Sequence, residues 1–389
     1  MLRFLTAGES HGKALTIIIE GMPAGLALSE DDIAVDLARR QKGYGRGRRQ
    51  KIEQDRAEIV SGVRHGKTLG SPIALSITNR DWANWTEVMS VDPIVGDVEK
   101  VTRLRPGHAD LAGTMKYGFD DVRNVLERAS ARETAARVAV GGVFKRLLAE
   151  IGVSFCSHTV QIGDVDATIP EPIDWNAVEE SQVRCADTAT ETRMIEAIDN
   201  ARNTGDTLGG VVEGRVRGAP IGLGSHVHWD RKVDGRLAQA LMSIHSVKGV
   251  EIGGGFGLTR LTGQHVHDVI LPRDQWSDAP WQRATNNAGG TEGGITDGQE
   301  ITVRVALKPI ATLPRSLPSA DLHTGEETPA HYERSDVCVV PAAGVIVEAM
   351  CAIVLAPAAV EKFGGDSMDE FLRNFRAYQA TVAPRHLVE

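Results

Sequence analysis

Cysteine and aromatic residues are scarce in this chain of 389 residues. Aromatic side chains make up only 5% of the sequence, and the four cysteines include no pair with C-x-x-C spacing: Cys156, Cys185, Cys338 and Cys351. The spacing indicates neither a zinc ribbon nor a redox dithiol. Because a chain of this length buries about 75% of its unfolded surface, it needs no disulfide or metal to fold. We therefore expect four free, mostly buried thiols in a reducing compartment.

The chain also lacks an excess of positive charge and a long apolar run. Its net charge of −9 argues against bulk nucleic-acid binding, so any anion site must be built locally. The most apolar stretch, residues 345–360, is interrupted by Glu348 and Pro357, and we expect it to be too short and too broken to span a bilayer. The first six residues are too short an apolar run for a signal peptide. These absences predict a cytoplasmic protein that has neither a nucleic acid nor a membrane as its partner.

No repeat, linker or low-complexity segment divides the chain, and its strand and helix patterns do not alternate regularly. Short apolar runs predict strands at residues 15–19, 73–77, 211–216 and 301–307. Helices are predicted from Ser29 to Gly43, from Ser130 to Gly152 and from Arg236 to Ile244, and the first two begin with capping-box patterns. Because regular βαβ units are missing, the sequence favours an α+β fold with antiparallel sheets over a doubly wound fold.

Positive charge is concentrated between Arg39 and Lys51, where seven residues are basic and none is acidic. Gly43, Gly45 and Gly47 allow the backbone to bend around a ligand, and arginine side chains match the geometry of phosphate and carboxylate groups. A solvated basic loop or an RNA-binding arm is the alternative, although the rest of the chain is acidic and Tyr44 is the only aromatic residue in the segment. We interpret it as part of a site for a small anion.

Two histidines lie in turn-forming segments. His11 is flanked by glycines in Gly8-Glu-Ser-His-Gly12, and His108 follows a Pro-Gly turn in Arg105-Pro-Gly-His-Ala-Asp110, where Asp110 is close enough to orient it. A single loop histidine is usually structural or solvated, but two of them beside arginines indicate proton chemistry near neutral pH. The segment Arg128 to Thr134 opens the second predicted helix, and free N–H groups at a helix start attract anions.

Several other patterns are weaker. Gly8-Glu-Ser-His-Gly12 matches the nucleophile elbow of serine hydrolases, but only seven residues precede it, too few for the strands that an elbow needs. Residues 61–68 resemble a Walker loop in which Ser61 replaces the first glycine, and two glycine-rich clusters do not fit a dinucleotide fingerprint. Two H-x-H pairs, predicted to lie on strands, lack a third ligand at a suitable spacing, so no metal is predicted. They are His226 with His228 and His265 with His267.

Taken together in this order and spacing, the segments resemble the chorismate synthase family. The resemblance extends from Met1 to about the last thirty residues, and it is the ordered set rather than any single motif that is specific. The motifs are Gly8-Glu-Ser-His-Gly12, Gly43-Tyr-Gly-Arg-Gly47, Ser61-Gly-Val-Arg64, Arg105-Pro-Gly-His-Ala-Asp110, Arg128 to Gly141, Val247-Lys-Gly-Val-Glu-Ile-Gly253, Asn287-Ala-Gly-Gly290 and Glu292-Gly-Gly294.

The resemblance implies a 1,4-anti elimination of phosphate from 5-enolpyruvylshikimate 3-phosphate, which gives chorismate in the last step of the shikimate pathway to the aromatic amino acids. The reaction is redox-neutral overall but requires reduced FMN. By resemblance, His11 is the acid near the leaving phosphate, and His108 protonates or hydrogen-bonds the reduced flavin near its N1 edge. Asp336 works with flavin N5 as the base that removes the substrate proton.

The resemblance also implies the binding residues and the assembly. The substrate anions would be bound by Arg40, Arg46, Arg49 and Arg132. The flavin would be bound by Arg128, Ala129, Ser130, Gln239, Ala240, Gly293, Lys308, Pro309, Ile310, Ala311, Thr312 and Arg334. The implied fold is a β-α-β sandwich, with helices packed between antiparallel sheets, in one domain over residues 1–389, and the implied assembly is a homotetramer.

Three further expectations remain open at this point. Because no appended reductase domain is evident, we expect the flavin to be reduced from outside rather than by this chain with NADPH. The pair Trp82 and Trp85 could belong to a subunit interface, a site lid or a partly buried loop. The competing functions are an RNA-binding module that uses residues 39–51 and a serine hydrolase that uses Ser10.

Overall fold

The computed structural model describes residues 1–47, 54–94, 96, 98–272, 274, 281–333 and 335–382. Within these residues, two antiparallel sheets of four and five strands are accompanied by three two-stranded hairpins and a set of helices. The antiparallel pairing confirms the prediction of an α+β fold over a doubly wound one. All four cysteines are free, and three of them are buried.

The first sheet has the strand order β1-β2-β6-β3, and a small β4-β5 hairpin interrupts the chain between β3 and β6. Its strands and the hairpin are β1 (Arg3–Ala7), β2 (Ala14–Glu20), β3 (Glu58–Ser61), β4 (Val63–Arg64), β5 (Lys67–Thr68) and β6 (Ile73–Thr78). In β2 the side chains of Leu15, Ile17 and Ile19 are fully buried, whereas the alternate positions face outward. The Walker-like segment forms the β4-β5 hairpin and leads into a strand, whereas a phosphate loop requires a helix there.

The second sheet has the order β10-β13-β9-β7-β8. Its strands and the two remaining hairpins are β7 (Ser154–Ile162), β8 (Val165–Asp166), β9 (Gly210–Arg217), β10 (Val247–Ile252), β11 (Thr291–Glu292), β12 (Ile295–Thr296), β13 (Ile301–Leu307), β14 (Pro318–Ala320) and β15 (Glu327–Pro329). In β13, which confirms the strand predicted at residues 301–307, the buried side chains alternate regularly with half-buried ones.

The three predicted helices are present, with shifted ends. The described residues form α1 (Glu30–Gln41), α2 (Asp110–Tyr117), α3 (Arg123–Leu126), α4 (Thr134–Ala149), α5 (Trp175–Glu180), α6 (Thr188–Thr204), α7 (Val233–Met242), α8 (Gly263–Val266), α9 (Val340–Phe363) and α10 (Met368–Val382). Ser29 and Asp32 form the predicted capping box. The prediction that both H-x-H pairs lie on strands is wrong, since His265 lies in α8 and His228 precedes a short 3₁₀ turn.

Helices α1, α4 and α9 pack against one another, and their outer faces reach both sheets. Helix α4 contacts β1 and β2, and α9 contacts β7 and β9. A Cβ atom on Gly141 would lie 2.4 Å from the Cβ of Ala349, and one on Gly142 would lie 3.2 Å from the Cα of Ile33. The two glycines therefore allow α4 to approach α9 and α1 closely, which offsets the cost of glycine inside a helix.

Helix α9 corrects the prediction that its apolar stretch is short and broken. It runs for 24 residues, continues through Pro357, and by length and composition alone is the one helix among the described residues that could cross a membrane. However, 83% of its most apolar window is buried inside the protein. Glu348, the charge within it, is also buried and accepts hydrogen bonds from Arg39 and Lys145. Its apolar character thus matches a core helix of the folded chain.

Candidate active site

A tight turn after β1 holds His11 against Glu127, which caps the end of α3. Gly8 has φ of +108°, and a Cβ there would lie 2.4 Å from the carbonyl oxygen of Ala14, so the turn requires glycine. Ser10 is buried, donates its N–H to the carbonyl of Glu127, and accepts a hydrogen bond from the hydroxyl of Ser130 at 3.1 Å. Because the turn leads into β2 rather than into a helix, it is not a nucleophile elbow.

The imidazole of His11 is fixed on two sides. Nδ1 lies 3.0 Å from both carboxylate oxygens of Glu127, and the backbone N–H of His11 donates to Oε2 of the same carboxylate at 2.9 Å. The indole of Trp85 stacks on the imidazole with ring centroids 3.8 Å apart. Arg123 completes the group, because it donates to Glu127 Oε1 at 2.9 Å and lies over the Trp85 ring.

Arg132 connects this turn to the basic end of α1. Its Nε donates to Oδ1 of Asn79 at 2.9 Å, and the amide of Asn79 donates to the carbonyl of Gly12 at 2.6 Å. Arg132 Nη1 donates to Asp55 at 2.5 Å, and the other oxygen of Asp55 lies 3.4 Å from Nη1 of Arg40. Two buried arginines thus share one buried carboxylate.

Arg46 and Asp336 extend the cluster. Arg46 Nε lies 3.2 Å from Asp336 Oδ2, and the N–H of Gly47 donates to Asp336 Oδ1 at 2.5 Å. Among the described residues, the cluster therefore contains three arginines and two carboxylates. Burial lowers the pKa of Arg40, the carboxylate of Asp55 opposes that effect, and the neighbouring Arg46 and Arg132 add to it, so that the pKa falls to about 10. Such a surplus of buried positive charge favours an anionic ligand.

His108 lies at the tip of its turn and is held by Asp110. Nδ1 lies 2.5 Å from Asp110 Oδ1, and Arg105 donates to both oxygens of the same carboxylate, at 2.8 and 3.0 Å. Burial would raise the pKa of Asp110, but the hydrogen bonds from His108 and Arg105 outweigh it and hold the pKa at about 2. Because an ionised carboxylate only accepts, the proton lies on Nδ1 and Nε2 is left for a ligand.

The segment from Lys308 to Thr312 joins His108 to Asp336. The ammonium of Lys308 donates to the carbonyl of Gly107, and Arg105 Nη1 donates to the Thr312 hydroxyl at 3.4 Å. The Thr312 carbonyl in turn accepts from the hydroxyl of Ser335, the residue before Asp336, at 3.0 Å. Pro309, Ile310 and Ala311 lie between Lys308 and Thr312 in the chain, and the carbonyl of Ile310 accepts a hydrogen bond from the hydroxyl of Thr207. One connected set of contacts therefore links the two histidines, three of the predicted arginines and Asp336.

The remaining predicted flavin residues fall into two groups. Ala129 lies between Arg128, which donates to the carbonyls of Thr6 and Gly8, and Ser130, which donates to Ser10, so this segment adjoins the His11 turn. The second group surrounds α7.

In that second group, Gln239 and Ala240 line a groove between α7 and α9, and Gly293 is exposed beside Gly294, whose carbonyl accepts from Val233 at the start of α7. Among the described residues, no hydrogen bond joins Gln239, Ala240 or Gly293 to His108 or Lys308. Two predicted residues, Arg49 and Arg334, lie outside the described residues.

A third histidine, His245, lies near the site, and sequence reasoning did not identify it as a site residue. It lies beyond the end of α7, and the carbonyl of its neighbour Ser246 accepts from the N–H of Lys308 at 2.9 Å. Burial lowers its pKa; Glu133 opposes the shift and Arg137, His108 and Arg40 add to it, giving a value of about 4. Its Nδ1 is buried and has no hydrogen-bond partner among the described residues.

Three other residues of the cluster were also missed by sequence reasoning: Asp55, Asn79 and Glu127. Each has at least one partner 53 residues or more away in the chain: Asn79 and Asp55 contact Arg132, and Glu127 contacts His11. No local pattern signals such a pairing. Glu127 directly precedes the Arg128 motif, and its charge beside two arginines was the only available sign.

The alternative sites gain no support from the described residues. No group of three or more histidines, cysteines, aspartates or glutamates is arranged to hold a metal ion there. In the basic segment, Arg39 and Arg40 make internal ion pairs and Arg46 pairs with Asp336, so these three side chains are not arranged as an open arm for RNA. Residues 48–53 of the segment lie outside the described residues.

Comparison with known proteins places this geometry in context. The sequence model of the chorismate synthase family matches residues 2–360. The chain is 56% identical to the chorismate synthase of Symbiobacterium thermophilum, covering 99% of this chain and 100% of that one, and 55% identical to that of Trichlorobacter lovleyi, covering 97% and 99%. A crystal structure of a chorismate synthase superimposes with a TM-score of 0.77 at 45% identity, covering 98% of each chain.

Proposed function

Because this chain belongs to the chorismate synthase family, it is a lyase of the last step of the shikimate pathway, and we propose that it eliminates phosphate from 5-enolpyruvylshikimate 3-phosphate with the aid of reduced FMN. The observation that supports this most directly is the connected cluster in which cationic side chains outnumber carboxylates beside two carboxylate-oriented histidines.

The substrate carries a phosphate and two carboxylates, so it brings negative charge to a cluster in which, as far as the structure describes it, arginines outnumber carboxylates. Arg40, Arg46 and Arg132 would bind these anions, and we propose the same role for Arg49. Arginine suits the task because its planar fork donates two parallel hydrogen bonds to a phosphate or carboxylate. Burial strengthens each contact, since Arg40 and Arg132 are withdrawn from water and hold fixed positions before the ligand arrives.

The donor set around His108 fits an anionic reduced flavin. Lys308, Arg105, Thr312 and the Nε2 edge of His108 present cations and hydrogen-bond donors or acceptors on neighbouring segments. We propose that Arg128 to Ser130, Gln239, Ala240, Gly293, Lys308 to Thr312 and Arg334 hold FMN. Reduced FMN, when bound, supplies an electron transiently to the substrate and recovers it, so the reaction is redox-neutral overall.

The chain's own residues manage the protons. His108, whose Nδ1 proton is held by Asp110, presents Nε2 to hydrogen-bond or protonate the flavin edge. His11 would stand at the leaving phosphate and donate a proton to it as the C–O bond breaks. Asp336, fixed by the N–H of Gly47 and by Arg46, would take up the proton lost from the substrate carbon.

We also propose the finer architecture and setting. The contacts of α4 with the first sheet and of α9 with the second support a β-α-β sandwich in one domain over residues 1–389. A homotetramer, a cytoplasmic location and reduction of FMN by an outside donor rather than by NADPH on this chain complete the proposal. Turnover with NADPH and oxidised FMN alone would overturn its last part.

An anaerobic assay tests the reaction. Purified protein is mixed with dithionite-reduced FMN and 5-enolpyruvylshikimate 3-phosphate, and phosphate release and chorismate absorbance are followed together. We expect both to appear in equal amounts and only with reduced flavin. Folded, FMN-binding protein that releases no phosphate would contradict the proposal, as would phosphate release without chorismate.

A further inference from the structure

Glu127 is a buried carboxylate to which no role has yet been assigned. Its side chain is only 2% exposed, yet it contacts both the backbone and the ring of His11. Its own backbone carbonyl accepts from Ser10, so the residue lies against the whole His11 turn. A buried carboxylate needs partners for its charge, and here those partners are Arg123 and the histidine.

The geometry decides which ring nitrogen carries the proton. Glu127 Oε1 already accepts from Arg123 and Oε2 from the backbone N–H of His11, and both oxygens lie 3.0 Å from Nδ1. An ionised carboxylate has only acceptors, so the Nδ1 position must hold the donor. In an imidazole the two nitrogens point to nearly opposite sides, so a proton fixed on Nδ1 turns Nε2 away from Glu127.

Trp85 removes the remaining freedom of the ring. Its indole stacks on the imidazole with an interplanar angle of 22°, and its own orientation is fixed by a 3.0 Å hydrogen bond from Nε1 to Asp81. The guanidinium of Arg123 lies 5.3 Å from the centre of the Trp85 ring while it donates to Glu127. Arg123 therefore braces both the carboxylate and the indole that define the His11 ring plane.

We infer that Glu127 is a positioning residue for the elimination: it keeps one proton of His11 on Nδ1, so that the second proton, which the imidazolium carries on Nε2, faces the departing phosphate and is the one transferred. Glu127 acts through His11 and does not touch the substrate. The inference rests on the proposed function for the identity of the leaving group, but the state of the His11 ring in the ligand-free protein does not depend on it. Trp85 serves the same end by fixing the ring plane.

The first test is Glu127→Gln, which keeps the shape of the side chain but replaces one acceptor oxygen with an amide donor. With reduced FMN and the substrate, we expect kcat to fall by about 100-fold or more, while KM for the substrate stays within about threefold because the binding arginines are untouched. The matched control is Glu213→Gln, which alters the buried Glu213–His158 pair in the second sheet and should leave kcat within about twofold.

A double-mutant cycle separates positioning from general support of the fold. If Glu127 acts through His11, then in a His11→Asn background the change Glu127→Gln should alter the residual kcat by less than about threefold. Equal losses in the two backgrounds would overturn the inference, because they would show that Glu127 acts independently of His11.

The second readout needs neither flavin nor turnover. Nitrogen-15 NMR of histidine-labelled protein, with the His11 signals assigned by their loss in His11→Asn, reports which nitrogen of the neutral ring keeps the proton. We expect Nδ1 in the unmodified chain and a shift toward Nε2 in Glu127→Gln. A proton on Nε2 in the unmodified chain, or an unchanged tautomer in the variant, would overturn the inference even if the elimination itself is confirmed.

Discussion

Arg39 and Arg40 are neighbours on α1, yet their side chains belong to two different charge networks. Arg39 donates to Asp36, Glu179 and Glu348 at 2.6 to 2.7 Å, and Glu348 also accepts from Lys145 and Ser157. Among the described residues, Arg40 forms an ion pair with one carboxylate, Asp55, at 3.4 Å, and shares it with Arg132. Successive residues on a helix point about 100° apart, which is enough to send one arginine into the core network and the other into the site.

The two arginines differ in the balance of their surroundings. Burial alone would lower the pKa of Arg39, but the carboxylates of Glu348, Glu179 and Asp36 raise it. The pKa of Arg40 is instead lowered to about 10, because burial lowers it, the positive charges of Arg46 and Arg132 lower it further, and the carboxylate of Asp55 does not offset these effects. Within the part of the chain that the structure describes, the cations around Glu348 are therefore neutralised by carboxylates, whereas the arginines around Asp55 outnumber the carboxylates, which favours an anionic ligand there.

The largest effect that we expect from this contrast is on turnover. In Arg40→Met, kcat/KM should fall by roughly 100- to 1,000-fold, about 3–4 kcal/mol, because the substrate loses a buried charged partner. The free energy of unfolding without ligand should change by no more than about 1 kcal/mol, since a poorly compensated charge is removed. Anaerobic steady-state kinetics and urea unfolding measure the two quantities. Near-normal kcat/KM would place Arg40 outside the site.

The neighbouring variant Arg39→Met should show the reverse pattern. Its removal leaves the buried carboxylates of Glu348 and Asp36 short of a partner, so the free energy of unfolding should fall by roughly 3 kcal/mol. Its kcat/KM should remain within about threefold of the unmodified value, because the side chain does not reach the site cluster. Kinetics and urea unfolding measure these quantities. A large loss of kcat/KM with unchanged stability would show that Arg39 acts in the site, as Arg40 does, and not in the core network.

A smaller effect concerns acid pH. The pKa of His245 is lowered from 6.5 to about 4 in the folded chain, so the unfolded chain takes up the proton first as the pH falls. Its contribution to stability is therefore present above about pH 6.5 and is lost between that pH and about 4. The loss should amount to at most about 3 kcal/mol.

Urea unfolding of His245→Gln, measured between pH 8 and pH 4, tests whether this histidine causes the loss of stability in acid. The variant should lack most of the loss between pH 6.5 and 4 while matching the unmodified chain at pH 8. Identical pH profiles would show that His245 is not the group responsible. Protonation of His245 would add another cation beside Arg40 and Arg137, which is why it is unfavourable in the ligand-free site.

The smallest effect on the free energy of unfolding is expected for an ion pair that belongs to neither network. Arg231 and Glu361 lie 2.7 Å apart at the surface, and each is about half exposed. Solvent screens such pairs, so Glu361→Ala should lower the free energy of unfolding by less than about 1 kcal/mol and leave kcat/KM unchanged. If Glu361→Ala lowered the free energy of unfolding as much as Arg39→Met does, burial would not explain why the core ion pairs stabilise the fold more than an exposed pair.

Much of the fold was predictable because its local patterns are strong. The four predicted strands appear with ends within one residue. In β2, β6 and β13 the side chains alternate between buried and more exposed positions, whereas β9 has three consecutive buried residues. Helix α9 was misjudged because Glu348 and Pro357 look like interruptions, and only the folded structure reveals the cations that neutralise Glu348. Helices such as α6 and α10 were not predicted.

For the site, sequence reasoning identified which residue types gather but not how they pair. The histidine turns and the arginines at 40, 46 and 132 do lie in one cluster with Asp336. Arg39 was grouped with them by sequence, although its side chain belongs to the core network. Asp55 and Glu127, the carboxylates that organise the cluster, come from distant segments, and only the tertiary fold brings them to their partners.

The most direct test of the anion-deficient site is the stabilisation that the substrate confers on the two arginine variants. Urea unfolding is measured with and without 5-enolpyruvylshikimate 3-phosphate at about ten times the dissociation constant of the unmodified chain, where binding should add about 1.4 kcal/mol. We predict this gain for the unmodified chain and for Arg39→Met, and its loss in Arg40→Met at the same concentration. An equal gain in all three proteins would contradict the assignment of Arg40 to the substrate and the distinction between the two networks.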